Sequence, residues 1–123
     1  MLPQPDGIGV GMNGIHTWGE HLDYASLDQG LFVKVSISLS TGYPTGPVDV
    51  IINGTLQGVD DCALSRDGLK AYVTENGQFP LVEINILEKT SHVRFNNTIP
   101  GSICSAALGR SCSNWDTIYI TGA

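Results

Sequence analysis

Hydrophobic and polar residues alternate along short runs of this chain, and glycine and proline separate the runs. Between positions 32 and 39 the odd-numbered residues are all apolar: Val33, Val35, Ile37 and Leu39. A period of two is typical of a β-strand with one buried face, and no stretch shows the sustained 3.6-residue period of a helix. The pattern predicts strands at residues 13–18, 21–26, 31–39, 48–52, 61–65, 70–74, 80–86, 91–98, 103–107 and 117–121.

A repeat of 47 to 48 residues organises these strands, because Tyr24, Tyr72 and Tyr119 lie in similar short segments. A period in the forties with four strands per unit is typical of a β-propeller. We therefore predict an all-β fold, a partial β-propeller. It would have two four-stranded blades at about 13–52 and 60–98 and part of a third at 103–123. Each tyrosine is expected in an inner strand, filling space between neighbouring blades.

Two open blades would leave sheet faces uncovered, since propellers close on themselves with four to eight blades. We expect the chain to be a fragment of a longer protein, or to complete a ring by self-association. Exposed apolar faces drive such association.

Composition narrows the partners of the chain. The net charge is −6 with only six Lys and Arg, which argues against nucleic acid and is compatible with a cation or a neutral small molecule. No apolar run reaches the length of a membrane span, and the N-terminus shows no signal-peptide pattern. The sequons Asn53-Gly-Thr55 and Asn96-Asn-Thr98, with the low lysine count, favour a secretory route over the cytoplasm.

The three cysteines do not form a metal-binding motif, because none lies in C-x-x-C and no paired histidine accompanies them. Cys62 lies in an apolar run and is expected to be a buried small hydrophobe. Two alternatives stay open for Cys104 and Cys112: separate thiols, or a loop-closing bridge in an oxidising compartment.

The stretch at residues 58–68, GVDDCALSRDG, places Asp60 and Asp61 side by side before an apolar run. Adjacent like charges repel, and each is costly to desolvate. Either the pair belongs to a polar turn, or one carboxylate faces a cation. His16 and Arg110 also have two interpretations each. His16 contacts a ligand or has a surface or packing role, and Arg110 contacts a ligand or forms an ion pair between strands.

Five motifs in order, covering about residues 9–122, resemble the C-terminal half of the SMP-30/gluconolactonase/LRE-like family, in the form common in fungal proteins. They are Met12-Asn-Gly-Ile15, Leu22-Asp-Tyr-Ala-Ser26, Asp60-Asp61 before Ser65-Arg-Asp-Gly68, Ala106-Ala-Leu-Gly-Arg110 and Ile118-Tyr-Ile-Thr121. The family fold is a six-bladed propeller, so the chain resembles about its last three blades.

The resemblance implies a lactonase-like, metal-dependent hydrolase of a small lactone or ester. Asn13 and Asp60 match two ligands of the family's divalent cation, which is Ca, Zn, Mg or Mn, and Asp60 would also be the catalytic base. If the ligand-contact interpretation of Arg110 and His16 holds, these two residues would contact the substrate. The family's early glutamate ligand has no counterpart here. Because adjacent strand residues point to opposite sides, Asp61 is expected to point away from the ion or to support Asp60.

A second function class is compatible with the same residues. A propeller without metal chemistry can bind a small molecule, as a scaffold or as a fungal biosynthetic cyclase of the Diels–Alderase type, since fold does not fix function.

Overall fold

The computed structural model describes residues 5–76, 80–96 and 103–122, and the predicted all-β fold is confirmed. These residues form ten strands and no helix. The described part of the chain therefore contains no helix that could cross a membrane. The strands are β1 Met12–Trp18, β2 His21–Ser26, β3 Leu31–Ile37, β4 Pro44–Ile52, β5 Val59–Leu64, β6 Lys70–Glu75, β7 Pro80–Asn85, β8 Thr90–Asn96, β9 Ile103–Leu108 and β10 Ile118–Gly122.

Three antiparallel sheets follow one another along the chain. The first has the strand order β1-β2-β3-β4, the second β5-β6-β7-β8, and the third pairs β9 with β10. The first strands of the sheets are neighbours, because β1 contacts β5 and β5 contacts β9. That these sheets are blades of a propeller stays a prediction.

The boundary between β3 and β4 differs from the predicted one. Strand β3 ends at Ile37, and β4 begins opposite it at Pro44 rather than at residue 48. A tight turn causes the difference: Ser38 N–H donates to the Tyr43 carbonyl at 2.9 Å, and Gly42 N–H donates to the Ser38 carbonyl at 2.7 Å. Gly42 has φ 74°, a conformation that glycine adopts without a steric penalty. Strand β3 therefore ends two residues before the predicted boundary at residue 39, and Leu39 is exposed.

The three tyrosines of the repeat occupy equivalent places in the sheets. Tyr24, Tyr72 and Tyr119 lie in β2, β6 and β10, the second strand of each sheet. Strands β2 and β6 also contact the first strand of the next sheet, β5 and β9 respectively. Tyr24 is buried, whereas Tyr119 is half exposed. The sequence repeat therefore corresponds to one sheet per unit.

The largest apolar core joins the first two sheets. Its members come from both sheets and from the segment between them: Ala25, Phe32, Ile51, Ile52, Leu56, Val59, Cys62, Ala71, Val73, Val82, Ile84 and Ile86. A second cluster contains Tyr24, Leu31, Val33 and Val35 of the first sheet. Because the first cluster contains residues of both sheets, its burial holds the first sheet against the second. This packing keeps β1 and β5, the first strands of the two sheets, next to each other.

Strands β1 and β5 approach each other unusually closely at Gly14. This residue has φ 57°, and a Cβ built on it would lie 2.8 Å from the Cα of Asp61. A side chain there would meet backbone that cannot move aside. The glycine of the Asn-Gly-Ile motif thus permits the strand contact on which the site depends.

Candidate functional site

Asn13 and Asp60 meet across the two neighbouring first strands. Asn13 Nδ2 donates to Asp60 Oδ1 at 2.9 Å, and Asn76 Nδ2 approaches the other oxygen, Oδ2, at 3.4 Å. Both residues lie at the beginning of their strands, Asn13 in β1 and Asp60 in β5. The structure thus brings together the two residues that the resemblance implied as metal ligands.

Bulges in both strands determine where the two adjacent carboxylates point. The register shifts between Asn13 and Ile15 in β1, and between Val59 and Cys62 in β5. As a result Asp60 faces Asn13 and Asp61 faces His16, so both carboxylates reach β1. The extra residue in each bulge breaks the period of two at this point, and the expectation that the two carboxylates point to opposite sides stays a prediction.

Asp61 links all three sheets. Its Oδ1 lies 3.0 Å from His16 Nε2 in β1, and its Oδ2 accepts hydrogen bonds from Ser105 Oγ at 2.6 Å and Ala106 N–H at 3.3 Å in β9. The buried hydroxyl of Thr74 accepts from the Asp61 N–H at 3.0 Å and donates to its carbonyl at 3.2 Å. These two hydrogen bonds replace the strand-to-strand hydrogen bonds that the bulge removes, so the backbone N–H and C=O of Asp61 both have partners.

These contacts determine the charge on Asp61. Burial favours the neutral carboxyl, but hydrogen bonds from Ser105, His16 and two backbone N–H groups outweigh it and lower the pKa of Asp61 below its ordinary value. An ionised carboxylate can only accept, so the His16 contact requires a proton on Nε2. Asp61 is therefore ionised, and its carboxylate connects neighbouring sheets through hydrogen bonds.

Buried polar groups lie behind this network. Asp23 in β2 pairs with His16 in the ladder and is 2% exposed, and its Oδ1 accepts no hydrogen bond from the described residues. Burial raises its pKa, while the charges of Lys34 and the histidines oppose the rise. Cys62 is fully buried as predicted, and burial raises the pKa of its thiol, so it is not a reactive nucleophile.

His16 and Arg110 line a common cleft of about 390 Å³. The cleft is formed by residues of β1, β5 and β9 and of the segments that follow β5 and β9, and neither Asn13 nor Asp60 lines it. Arg110 forms no ion pair with the described residues, so the structure lacks the strand-linking pair that was its alternative role. Arg110 follows the end of β9, whereas Asn13 and Asp60 lie at the beginning of β1 and β5, and a substrate contact of Arg110 beside this pair stays a prediction.

The Asn13–Asp60 pair provides part of a cation site at most. Its donor set is one carboxylate and one amide, and the Asn13 carbonyl oxygen already accepts the Gly14 N–H at 3.0 Å. Among residues 5–76, 80–96 and 103–122, no three His, Cys, Asp or Glu side chains are grouped to hold a metal ion. Hard cations take about six or more oxygens, so further ligands are needed.

Two functional contacts were not foreseen from the sequence. Ser105 and Asn76 each bind one of the paired carboxylates from 44 and 16 residues away. Asn76 directly follows β6 and belongs to none of the five motifs, and Ser105 lies in a strand of small residues that also carries no motif of its own. The one available clue for Ser105 was its place in a strand that begins the third repeat unit.

Cys112 is exposed and carries a free thiol, so the loop-closing bridge with Cys104 is not formed in this structure. No protein-family model matches the chain, and neither does any curated protein.

Proposed function

We propose that this chain forms one wall of a small-molecule site in a hydrolase of the SMP-30/gluconolactonase type, acting on a small lactone or ester. The observation that supports this is the 2.9 Å contact between Asn13 and Asp60. Two residues 47 positions apart, expected to share a ligand from the resemblance alone, lie side by side at the beginning of neighbouring strands.

Asp60 and Asn13 are the residues that would hold a divalent cation. Two oxygens bound at right angles to one ion at about 2.1 Å would lie about 3 Å apart. The Asn13 amide nitrogen lies 2.9 Å from Asp60 Oδ1, so a turned amide would bring the Asn13 oxygen to a similar position. A cation held there supplies polarisation of the lactone carbonyl and a lowered pKa of a bound water. Asp60 contributes the negative charge and an acceptor for a proton from water. Asn13 would have to turn its amide and give up the Gly14 hydrogen bond.

A metal-free small-molecule site, as in a binding scaffold or a Diels–Alderase-like cyclase, is the second candidate. It is favoured by the contacts of Asp60, whose two carboxylate oxygens each face an amide N–H, from Asn13 and from Asn76. A carboxylate with two amide donors is stabilised without a cation. In this alternative Asp60 orients the amides, and the amide groups bind the ligand.

Calorimetric titration with Ca²⁺, Mg²⁺, Mn²⁺ and Zn²⁺ separates the two candidates. Under the hydrolase proposal the chain binds at least one of these ions, and Asp60→Asn weakens binding tenfold or more because the only carboxylate of the pair is lost. Asp61→Asn is the matched control, since it removes the same charge one residue away, and it should change the affinity little. Circular dichroism confirms that each variant is folded.

Equal loss in both variants, or no cation binding by the wild-type chain, would contradict the hydrolase proposal. The metal-free candidate then predicts that a six-membered lactone binds without added metal, and that Asp60→Asn weakens its binding while the lactone is not hydrolysed. Lactone hydrolysis is followed by acid release at constant pH.

A further inference from the structure

The cleft at the far ends of the first strands has the composition of a separate binding site. We name it the arginine cleft; it is lined by His16, Thr17, Trp18, Ala63, Leu64, Ser65, Arg66, Ala106, Ala107, Leu108 and Arg110. An adjoining hollow of about 300 Å³ shares Leu64, Arg66, Leu108 and Arg110 and adds Trp115. The volume of the cleft, about 390 Å³, lies within the range of small-ligand pockets.

Two uncompensated positive charges face this cleft. The chain has only six Lys and Arg against twelve Asp and Glu. Three of the six form ion pairs elsewhere, Lys70 and Arg94 with Glu83 and Lys89 with Asp49. Arg66 and Arg110 have no carboxylate partner among the described residues. In an acidic protein this placement favours an anionic ligand at the cleft.

The carboxylates closest in sequence to Arg66 are engaged by other groups. Asp67 Oδ1 accepts Ser65 Oγ at 2.6 Å and the Leu69 N–H at 3.0 Å, which closes the turn after β5. Asp61, which contacts the cleft residues His16 and Ala106, is occupied by these two and by Ser105. The arginine charges therefore remain available to a ligand.

Both tryptophan side chains contact Arg66 at the wall of the cleft. Trp18 Nε1 donates to the Arg66 carbonyl at 3.0 Å, and its ring lies where a Cβ on Gly68 would be, at 2.5 Å. The Arg66 guanidinium lies 4.7 Å from the centre of the Trp115 ring. An aromatic ring contacts the face of a guanidinium and leaves the N–H groups at its edge free. The ring of Trp115 therefore orients Arg66 while its N–H groups remain able to donate to a ligand.

The remaining wall is apolar, formed by Ala63, Leu64, Ala106, Ala107 and Leu108. A ligand that satisfies both parts has an oxyanion for the arginine forks and a flat or aliphatic body for the apolar wall and indole rings. We propose that the arginine cleft binds a small organic oxyanion, with a carboxylate or phosphate held by Arg66 and Arg110. This site is distinct from the Asn13–Asp60 pair and does not depend on the hydrolase proposal.

The two tryptophans of the chain, Trp18 and Trp115, both border this site, so intrinsic fluorescence reports on it directly. The full chain is titrated with benzoate, phenyl phosphate and inorganic phosphate, and with benzamide as a neutral analogue of benzoate. We expect saturable changes with benzoate or phenyl phosphate and none with benzamide. Binding of inorganic phosphate alone would overturn the role of the apolar wall.

Variants test the arginines individually. Arg66→Gln and Arg110→Gln should each weaken binding about tenfold or more, since each removes charged hydrogen bonds to the oxyanion. Arg66→Lys keeps the charge but loses the fork and should recover only part of the affinity. Lys89→Gln, which removes an equal charge from an exposed ion pair with Asp49, is the matched control and should bind as wild type.

The proposal is overturned if no anion produces a saturable change, or if Lys89→Gln weakens binding as much as the two cleft variants. In the second case the arginines act only through net charge. Far-ultraviolet circular dichroism of each variant shows whether the fold is retained; the three substituted residues are solvent-exposed, so loss of folding is not expected.

Discussion

Replacing Asp61 with alanine should destabilise the chain more than any other single change at the carboxylate pair. The side chain accepts hydrogen bonds from His16 in the first sheet and from Ser105 and Ala106 in the third, while its backbone belongs to the second. Its removal therefore weakens two sheet-to-sheet contacts at once and leaves the Ser105 hydroxyl and the Ala106 N–H without this acceptor.

The size of the effect follows from these distances. A hydrogen bond to a charged group contributes about 1.5–3 kcal/mol net. The Ala106 contact is long, at 3.3 Å, and the Asp61 side chain is 22% exposed, so we count the Ser105 and His16 bonds at the low end of that range. The expected cost of Asp61→Ala is about 3 kcal/mol. Asp61→Asn keeps an acceptor for Ser105 and loses mainly the charge, at about 1 kcal/mol.

Urea unfolding followed by circular dichroism measures these costs. With a slope of about 2 kcal/mol/M, a loss of about 3 kcal/mol lowers the midpoint by about 1.5 M. Asp60→Ala is the matched control; its partners are amide groups that can turn to water, so we expect about 1 kcal/mol or less. A double-mutant cycle of Asp61→Ala with Ser105→Ala should give a coupling energy of at least about 1 kcal/mol. Equal midpoints for the Asp60 and Asp61 variants, or zero coupling, would refute the reasoning.

Three further predictions concern the close contact of β1 and β5 at Gly14, the stability of the chain in acid, and its self-association. Gly14→Ala should cost at least about 1 kcal/mol more than Gly19→Ala in urea unfolding, because both glycines have positive φ but only Gly14 lies against backbone. Because the folded pKa of Asp61 lies below its ordinary 3.8, its stabilisation is present above that pH and lost as the pH falls through the lowered value, so the midpoints of wild type and Asp61→Asn should converge in acid. The isolated chain should self-associate through exposed apolar residues such as Ile15 and Trp18, and a clean monomer in light scattering would contradict this.

Much of the fold could be predicted from local pattern. Each of the ten strands overlaps a predicted one, although the boundary between β3 and β4 differs. The turn at Ser65-Arg-Asp-Gly68 closes with a 2.9 Å hydrogen bond from Gly68 N–H to the Ser65 carbonyl. These features depend on neighbours within a few residues, which the sequence shows directly.

The site was less predictable because it depends on bulges and on partners far along the chain. Nothing local indicates that an extra residue in β5 turns both Asp60 and Asp61 towards β1. The Ser105 contact joins residues 44 positions apart and requires β5 and β9 to be neighbours. The arginine cleft likewise combines the ends of three strands, so Arg66 has no local signal that distinguishes it from an ordinary turn residue.

The most direct test of the account is a crystal structure of the chain grown with Mn²⁺, with the ion located by its anomalous scattering. The hydrolase proposal predicts one ion about 2.0–2.6 Å from the Asp60 carboxylate and the Asn13 side-chain oxygen, with Asp61 still bound to Ser105. An ion bound through Asp61 instead, or no ion at saturating Mn²⁺ with Asn13 still donating to Asp60, would contradict it.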